Sequence, residues 1–333
     1  MNRAELGPRE FSRATAGKGL AATGRVREAS PVLADGVERF IFADVFSRSG
    51  LGSREREMLT CAVLATIGGA DNQLGVHVPA ALECGADPDE LIQLCEQIVP
   101  YCGFPRALNA LRAVRAVLEE RGLPLPLPAR EVALPDGAGT LVTDAGQGDD
   151  GLLLLHSPEL DRQAWRDLIR ALPDGTRAVA PDLRGAGAAG AAPPPVGRAT
   201  LLDDLAAVMD AVGLRTARVV SLGAAAAALG AAAVAAHPDR LRQGATLRPA
   251  DDPGDAPGTD ALAAWFTPAQ LAASGWPVRY ARDRLERLHP GSHAALAAAM
   301  HDGDRPADGG EAGGPHPLAH PAACAARVAG GGG

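Results

Sequence analysis

Apolar residues recur at helical spacing through the first third of the chain, and beyond a proline-rich break they gather into short strand-like runs. Residues 1–30 are charged and turn-rich, which predicts a loose N-terminal arm with one short helix at most. From Pro31 to Ser47 the positions Val37, Phe40, Ile41, Val45 and Phe46 predict a helix that leads into the turn Arg48-Ser49-Gly50. Ser53 precedes a second helix. Arg56 stands where a capping box would place Glu, but Glu55 and Glu57 put negative charge near its positive end. That helix runs to about Ile67 and closes at Gly68-Gly69. A third, around Asn72 to Cys84, is closed by Gly85. Asp87-Pro88-Asp89-Glu90 opens a fourth, since proline suits the first helical turn, and Leu91, Leu94, Cys95 and Ile98 form its apolar stripe. The last, Arg106 to Glu120, puts Leu108, Leu111 and Leu118 on one side. Residues 31–121 are therefore expected to be an all-helical domain.

Residues 122–128 read Gly-Leu-Pro-Leu-Pro-Leu-Pro. Alternating prolines block a helix and favour an extended connector, so the domain boundary is expected there. Over 129–300 the pattern becomes strands alternating with helices: Gly151 to His156, Ala178 to Gly185, and Arg218 to Val220. This argues for a mainly parallel sheet with helices on both faces. Val219 to Ala236 is uncharged and nearly long enough to span a membrane, but its alanine and glycine content favours a buried strand and helix. Residues 301–333, rich in Gly, Ala and Pro, are expected to form a disordered tail.

Composition narrows the functional classes. With 333 residues and 47% apolar content, the chain can build two cores. A formal charge of −8 without a dense basic run argues against a nucleic-acid partner. Lys18 is the sole lysine beside abundant Arg, Ala, Gly and Pro, so each alanine alone says little. Five cysteines without a Cys-x-x-Cys pair read as reduced thiols of a cytoplasmic protein. The N-terminus lacks the apolar core of a signal peptide, and no membrane association is expected.

The stretch from Arg54 to Leu111 carries Arg54-Glu55-Arg56-Glu57, Gly68-Gly69, Gln73-Leu74-Gly75-Val76-His77, Cys84-Gly85-Ala86, Tyr101-Cys102-Gly103-Phe104-Pro105 and Ala107-Leu108-Asn109-Ala110. In this it resembles the carboxymuconolactone decarboxylase family, within the wider alkyl hydroperoxidase D-like group. The resemblance implies a helical unit that associates with its own copies and a carboxy-lyase acting on a lactone or related β-keto acid of aromatic-compound catabolism. No cofactor and no metal are expected. Decarboxylation builds negative charge that must spread into a carbonyl before a proton is delivered. His77 holds the position of the family's histidine, and imidazole titrates in a suitable range. Glu57 is the accompanying carboxylate. Gln73, Arg54 and Tyr101 are the expected substrate-binding residues. Gln73 departs from the pattern, which has Glu there, and glutamine exchanges no proton. The plainer alternatives are a hydrogen-bonded helix histidine, a solvated first-turn acid, a solvated arginine and a packing tyrosine. Hydroperoxidase relatives use a Cys-x-x-Cys pair; Ala70 and Gln73 occupy those positions, which leaves no thiol relay.

Ala178-Val179-Ala180-Pro181-Asp182-Leu183-Arg184-Gly185, with Trp265-Phe266-Thr267-Pro268 further on, resembles the α/β-hydrolases, and among them the 3-oxoadipate enol-lactonases. Those enzymes present a nucleophile on a Gly-x-Ser-x-Gly turn, followed later by an acid and a histidine. Counted from Asp210-Ala211-Val212-Gly213, the nucleophile position falls on Gly223. In the other register Ser221 is the nucleophile and Val219 replaces the first glycine. No apolar strand delivers the acid, and His316 and His320 resemble a remnant of the histidine segment. The expected hydrolase-like domain is thus incomplete and inactive. Three functions remain: a decarboxylase carrying an inert hydrolase domain, a non-catalytic accessory protein, and a redirected enzyme acting by enolisation.

Overall fold

The computed structural model describes the chain apart from residues 1, 15–18, 188, 190–196, 248–259, 289, 302–315 and 331–333. It divides into two compact units, Met1–Pro126 and Leu127–Gly333, with the division inside the proline-rich segment.

The first unit is helical. Its bundle comprises α4 (Ser53–Ile67), α5 (Asp71–Glu83), α6 (Pro88–Gln97), α7 (Val99–Cys102) and α8 (Phe104–Glu120). Asp87 and Glu90 form a reciprocal capping box at the start of α6. Gly68, Gly69 and Gly85 take the positive φ that ends α4 and α5. Helix α8 packs against α4, α5 and α6 around Leu74, Val78, Leu91, Val114 and Leu118. Helix α4 has two apolar faces. Glu57, Cys61 and Ala65, one turn apart, are buried, whereas Leu59, Val63 and Ile67 lie in solvent on the other side.

The N-terminal segment differs from the expected loose arm. It forms α1 (Arg3–Ala14) and α2 (Gly19–Ala29), although 15–18 lie outside the described residues. The Asn2 side chain accepts from the Glu5 N–H and the Glu5 carboxylate accepts from the Asn2 N–H, which starts α1 as a capping box does. The expected Pro31–Ser47 helix is also divided, into α3 (Pro31–Asp35) and a π-helix, Gly36–Phe46. Helix α1 lies along this π-helix so closely that a Cβ at Gly7 would collide with the Glu38 carbonyl. Phe11 stacks on Phe42 at 4.1 Å between centroids, and Arg3 pairs with Asp44.

The second unit is built on a six-stranded sheet, in the order β1-β2-β4-β3-β5-β6, with β1 Ala129–Ala133, β2 Gly139–Ala145, β3 Asp150–Leu155, β4 Ala178–Pro181, β5 Thr216–Leu222 and β6 Leu241–Leu247. Strands β3 to β6 pair in parallel, while β2 runs antiparallel to β1 and β4. Alternate residues feed two cores. Leu153, Leu155, Val179 and Val219 face α10 (Arg198–Val212) and α11 (Gly223–Ala236). Leu152, Leu154, Ala180 and Val220 face α9 (Arg166–Ala171), α12 (Asp260–Trp265), α14 (Trp276–Glu286) and α16 (Pro321–Ala329). The uncharged run from Val219 is the end of β5 followed by α11, and no described helix is long and apolar enough to cross a membrane.

The C-terminal stretch corrects a second expectation. Cys324, Ala325 and Val328 of α16 are buried in the sheet's core, so residues 316–330 belong to the second unit and not to a disordered tail. Residues 302–315 and 331–333 of that tail lie outside the described residues.

Two buried histidines tie this unit together. His156 Nδ1 donates to the Ser157 carbonyl at 2.8 Å, and its Nε2 accepts from the Leu183 N–H at 2.9 Å. His316 stacks on Trp265 and accepts from the Leu318 N–H. Burial pushes the imidazole of His156 down to about 4 and that of His316 to about 3. Each is therefore neutral when folded, and the unfolded chain binds a proton first as pH falls below 6.5, the ordinary histidine value. Stability held above that value is lost progressively down to about pH 4 for His156, on the order of 3 kcal/mol. Calorimetry of the parent and of His156→Gln across pH 7 to 4 should show the parent losing melting temperature more steeply than the variant.

Candidate functional site

Helices α4 and α5 lie against each other, and their contact brings together the two residues expected to act. Glu57 is fully buried on the inner face of α4, and its Oε2 lies 2.8 Å from Nδ1 of His77 on α5. Glu57 is therefore not a solvated acid of the first turn. Its other oxygen, Oε1, has no hydrogen-bond partner. A buried carboxylate depends strongly on such partners, so Glu57 fixes the imidazole as much as the imidazole satisfies Glu57. With Nδ1 engaged, Nε2 is the ring nitrogen left for chemistry.

The His77 side chain is 27% exposed and forms part of the wall of a cavity of about 740 Å³. Val76, Pro79 and Ala80 of α5 share that wall with Phe42 and Phe46 of the π-helix. Phe11 of α1 and Val117 of α8 add apolar surface, and Thr60 of α4 lies beside them. Proline at 79 cannot donate to the Gly75 carbonyl one turn earlier, so α5 lacks a helical hydrogen bond across the residue that carries the imidazole. Three charged residues complete the lining: Glu83, Glu120 and Arg121, of which Arg121 bonds Glu83 at 3.0 Å.

The other expected residues are placed elsewhere. Gln73 is exposed and lies outside the cavity wall, because the cavity follows the Gly75–Glu83 part of α5 and not its first turn. Arg54 is ion-paired with Glu90 at 2.7 Å and with Glu55 at 3.3 Å. Tyr101, on α7, is 76% exposed and does not line the cavity. The sequence reading missed Phe11, because it treated the segment as an arm; the Asn2-x-x-Glu5 cap was the available signal. Arg121 lay at the expected domain edge and was missed for the same kind of reason.

In the second unit, β5 passes directly into α11, and Gly223 stands at that strand-to-helix turn with φ +82°. Ser221 is fully buried in β5, with its Oγ unpartnered and close enough to Gly230 to leave no room for a Cβ there. The positive φ thus falls on Gly223, and Ser221 lies beneath the turn.

Comparison with known proteins gives one family match and several likenesses to solved structures. Residues 31–116 match the model of the carboxymuconolactone decarboxylase family. They form a carboxymuconolactone decarboxylase family domain. The 4-carboxymuconolactone decarboxylase of Acinetobacter baylyi is 32% identical over 87 residues, 26% of this chain and 64% of that protein. The chain thus spans less than two thirds of this curated relative. Among solved structures, a hydrolase from Pseudomonas aeruginosa PA01 is 25% identical with a TM-score of 0.43, covering 53% of this chain and 73% of that one. The enol-lactonase from Burkholderia xenovorans LB400 is 22% identical with a TM-score of 0.43, over 53% and 75%. The family match thus falls within the helical unit.

The Glu57 contact fixes a tautomer. In the neutral state His77 should carry its proton on Nδ1, and nitrogen-15 NMR of the ring should show this; Glu57→Leu should move the proton to Nε2. A ring protonated on Nε2 in the parent would show that Glu57 does not orient it.

Proposed function

We propose that the helical unit is a decarboxylase-like carboxy-lyase acting on a carboxylated lactone or a related β-keto acid, with His77 as the acid/base and Glu57 as the residue that positions it. The observation that carries this reading is the buried Glu57 carboxylate 2.8 Å from Nδ1 of a histidine that opens onto a cavity. As the carboxylate leaves, its bonding pair passes into the neighbouring carbonyl as an enolate, and carbon dioxide departs. The Nε2–H of the imidazolium then protonates the carbon, and water restores the proton to the ring. Glu57 stabilises the charged ring during this exchange. The Gln73 side chain plays no part in proton transfer. If no carboxylate is lost, the same pair serves enolisation of a ketone, which is the second reading favoured by glutamine where the family pattern has Glu.

The second unit serves as a scaffold without hydrolase chemistry, a reading supported by glycine at the turn and by the burial of Ser221. Turnover of 4-nitrophenyl acetate should equal that in buffer, and Ser221→Ala should not change it. The helical unit also associates with further copies, as supported by the solvent-facing Leu59, Val63 and Ile67 of α4 and Phe104 and Leu108 of α8. Light scattering after size exclusion should give an oligomer, and a monomer at micromolar concentration would count against it.

Carbon dioxide release should be followed with 4-carboxymuconolactone and with β-keto acids. Where turnover exceeds buffer, His77→Ala should lower kcat by on the order of 10²-fold while KM changes little. Glu57→Gln should lower kcat by less. Equal rates for parent and His77→Ala would rule out the proton-transfer role.

A further inference from the structure

We infer that the cavity beside His77 takes a predominantly apolar β-keto acid of aromatic or fused-ring size, bearing a single carboxylate, and not a compact dicarboxylate lactone. This rests on the carboxy-lyase reading above and narrows its substrate class.

Size is the first argument. A volume of about 740 Å³ lies in the range of pockets that enclose drug-sized ligands. A single five-membered lactone with two carboxylates would leave most of it unfilled. The walls are the second argument. Phe11 stacks on Phe42 at 4.1 Å between centroids, Phe46 lies tilted against Phe42 at 4.8 Å, and Ile41, Val76 and Val117 extend the apolar surface. Flat aromatic skeletons pack well against such walls.

Charge is the third and most restrictive argument. Among the described residues, the charged members of the wall besides His77 are Glu83, Glu120 and Arg121, two anions and one cation, and the cation is already bonded to Glu83. A dicarboxylate placed against these residues would meet net negative charge and, among them, no cation without a carboxylate partner. The arginines nearest in sequence to the dyad are committed elsewhere. Arg54 pairs with Glu90, while Arg56, whose guanidinium lies 5.6 Å from the centroid of the Phe46 ring but outside the cavity lining, bonds the carbonyls of Leu51 and Arg48. One carboxylate is still accommodated beside the imidazolium of His77. Its transfer from water to an apolar wall also favours its loss, since the charge disperses as carbon dioxide forms.

The cavity also draws on chain outside the family-matched segment. Phe11 precedes residue 31, whereas Val117, Glu120 and Arg121 follow residue 116. Phe11 and Val117 thus add apolar surface from outside that segment to a wall that otherwise lies within it. In the reaction, the bond from the α-carbon to the carboxylate carbon breaks and its pair enters the keto group. The α-carbon then takes the Nε2 proton of His77, leaving an aryl ketone and carbon dioxide.

The test uses the full chain with 3-(2-naphthyl)-3-oxopropanoate, 4-carboxymuconolactone and the non-reacting ketone 2-acetylnaphthalene. Carbon dioxide release above the buffer rate should have a kcat/KM at least about tenfold higher for the naphthyl acid than for the lactone. Calorimetric titration should detect 2-acetylnaphthalene binding. Val76→Asp, at a solvent-reaching position of the wall, should weaken that binding by about tenfold or more without changing the melting temperature. Ketone binding that Val76→Asp weakens, with no acid turned over above buffer, would uphold the ligand class and overturn the carboxy-lyase reading. Faster turnover of the lactone, absence of ketone binding at millimolar concentration, or binding unaffected by Val76→Asp would overturn the ligand class.

Discussion

A carboxylate with no access to water has to be satisfied from within, and in the helical unit the group that meets Glu57 is His77. This requirement sets the register of α4 against α5, since a shift of one residue on either helix would turn one partner away from the other. It also explains why a polar pair survives next to a core of Leu74, Val78, Cys61 and Ala65, where an apolar pair would pack at lower cost. The pair thereby defines one end of the cavity, and the N-terminal helices define the other through their aromatic stack.

The second unit relies on polar ties of a different kind. Arg184, just past β4, is buried and bonds Asp136 in the β1–β2 turn as well as Asp204 on α10, so one guanidinium joins the antiparallel edge of the sheet to a covering helix. His156 similarly links the ends of β3 and β4. These contacts hold loops at the carboxyl ends of the strands, the region where open α/β sheets commonly bind ligands.

Local signals made much of this legible in the sequence. Asp87-Pro88-Asp89-Glu90 fixed the start of α6, and the Gly68-Gly69 and Gly85 stops bounded α4 and α5. The nearness of Glu57 to His77 was readable through the family resemblance, although twenty residues separate them. What the sequence concealed was tertiary. Gln73 and His77 share a helix face, yet the cavity begins beyond the first turn of α5, which no periodicity reports. Phe11 and Cys324 lay in segments whose composition suggested disorder, but each is held by partners distant in sequence: Phe42 for one and the sheet core for the other. The π-helix was likewise invisible, because Gly36 to Phe46 carries an ordinary helical apolar pattern.

The turn at Gly223 limits what this position can carry. Glycine takes φ +82° there without strain, whereas a side-chain-bearing residue in that conformation costs roughly 1–3 kcal/mol, a sum that catalysis would have to justify. Space is not the obstacle, since a Cβ at 223 would rest 3.5 Å from that of Ser157. Any side chain at 223 would therefore start from a loss of stability set by the backbone and not by crowding, so the conformation of this one residue restricts which amino acids the junction of β5 and α11 can carry.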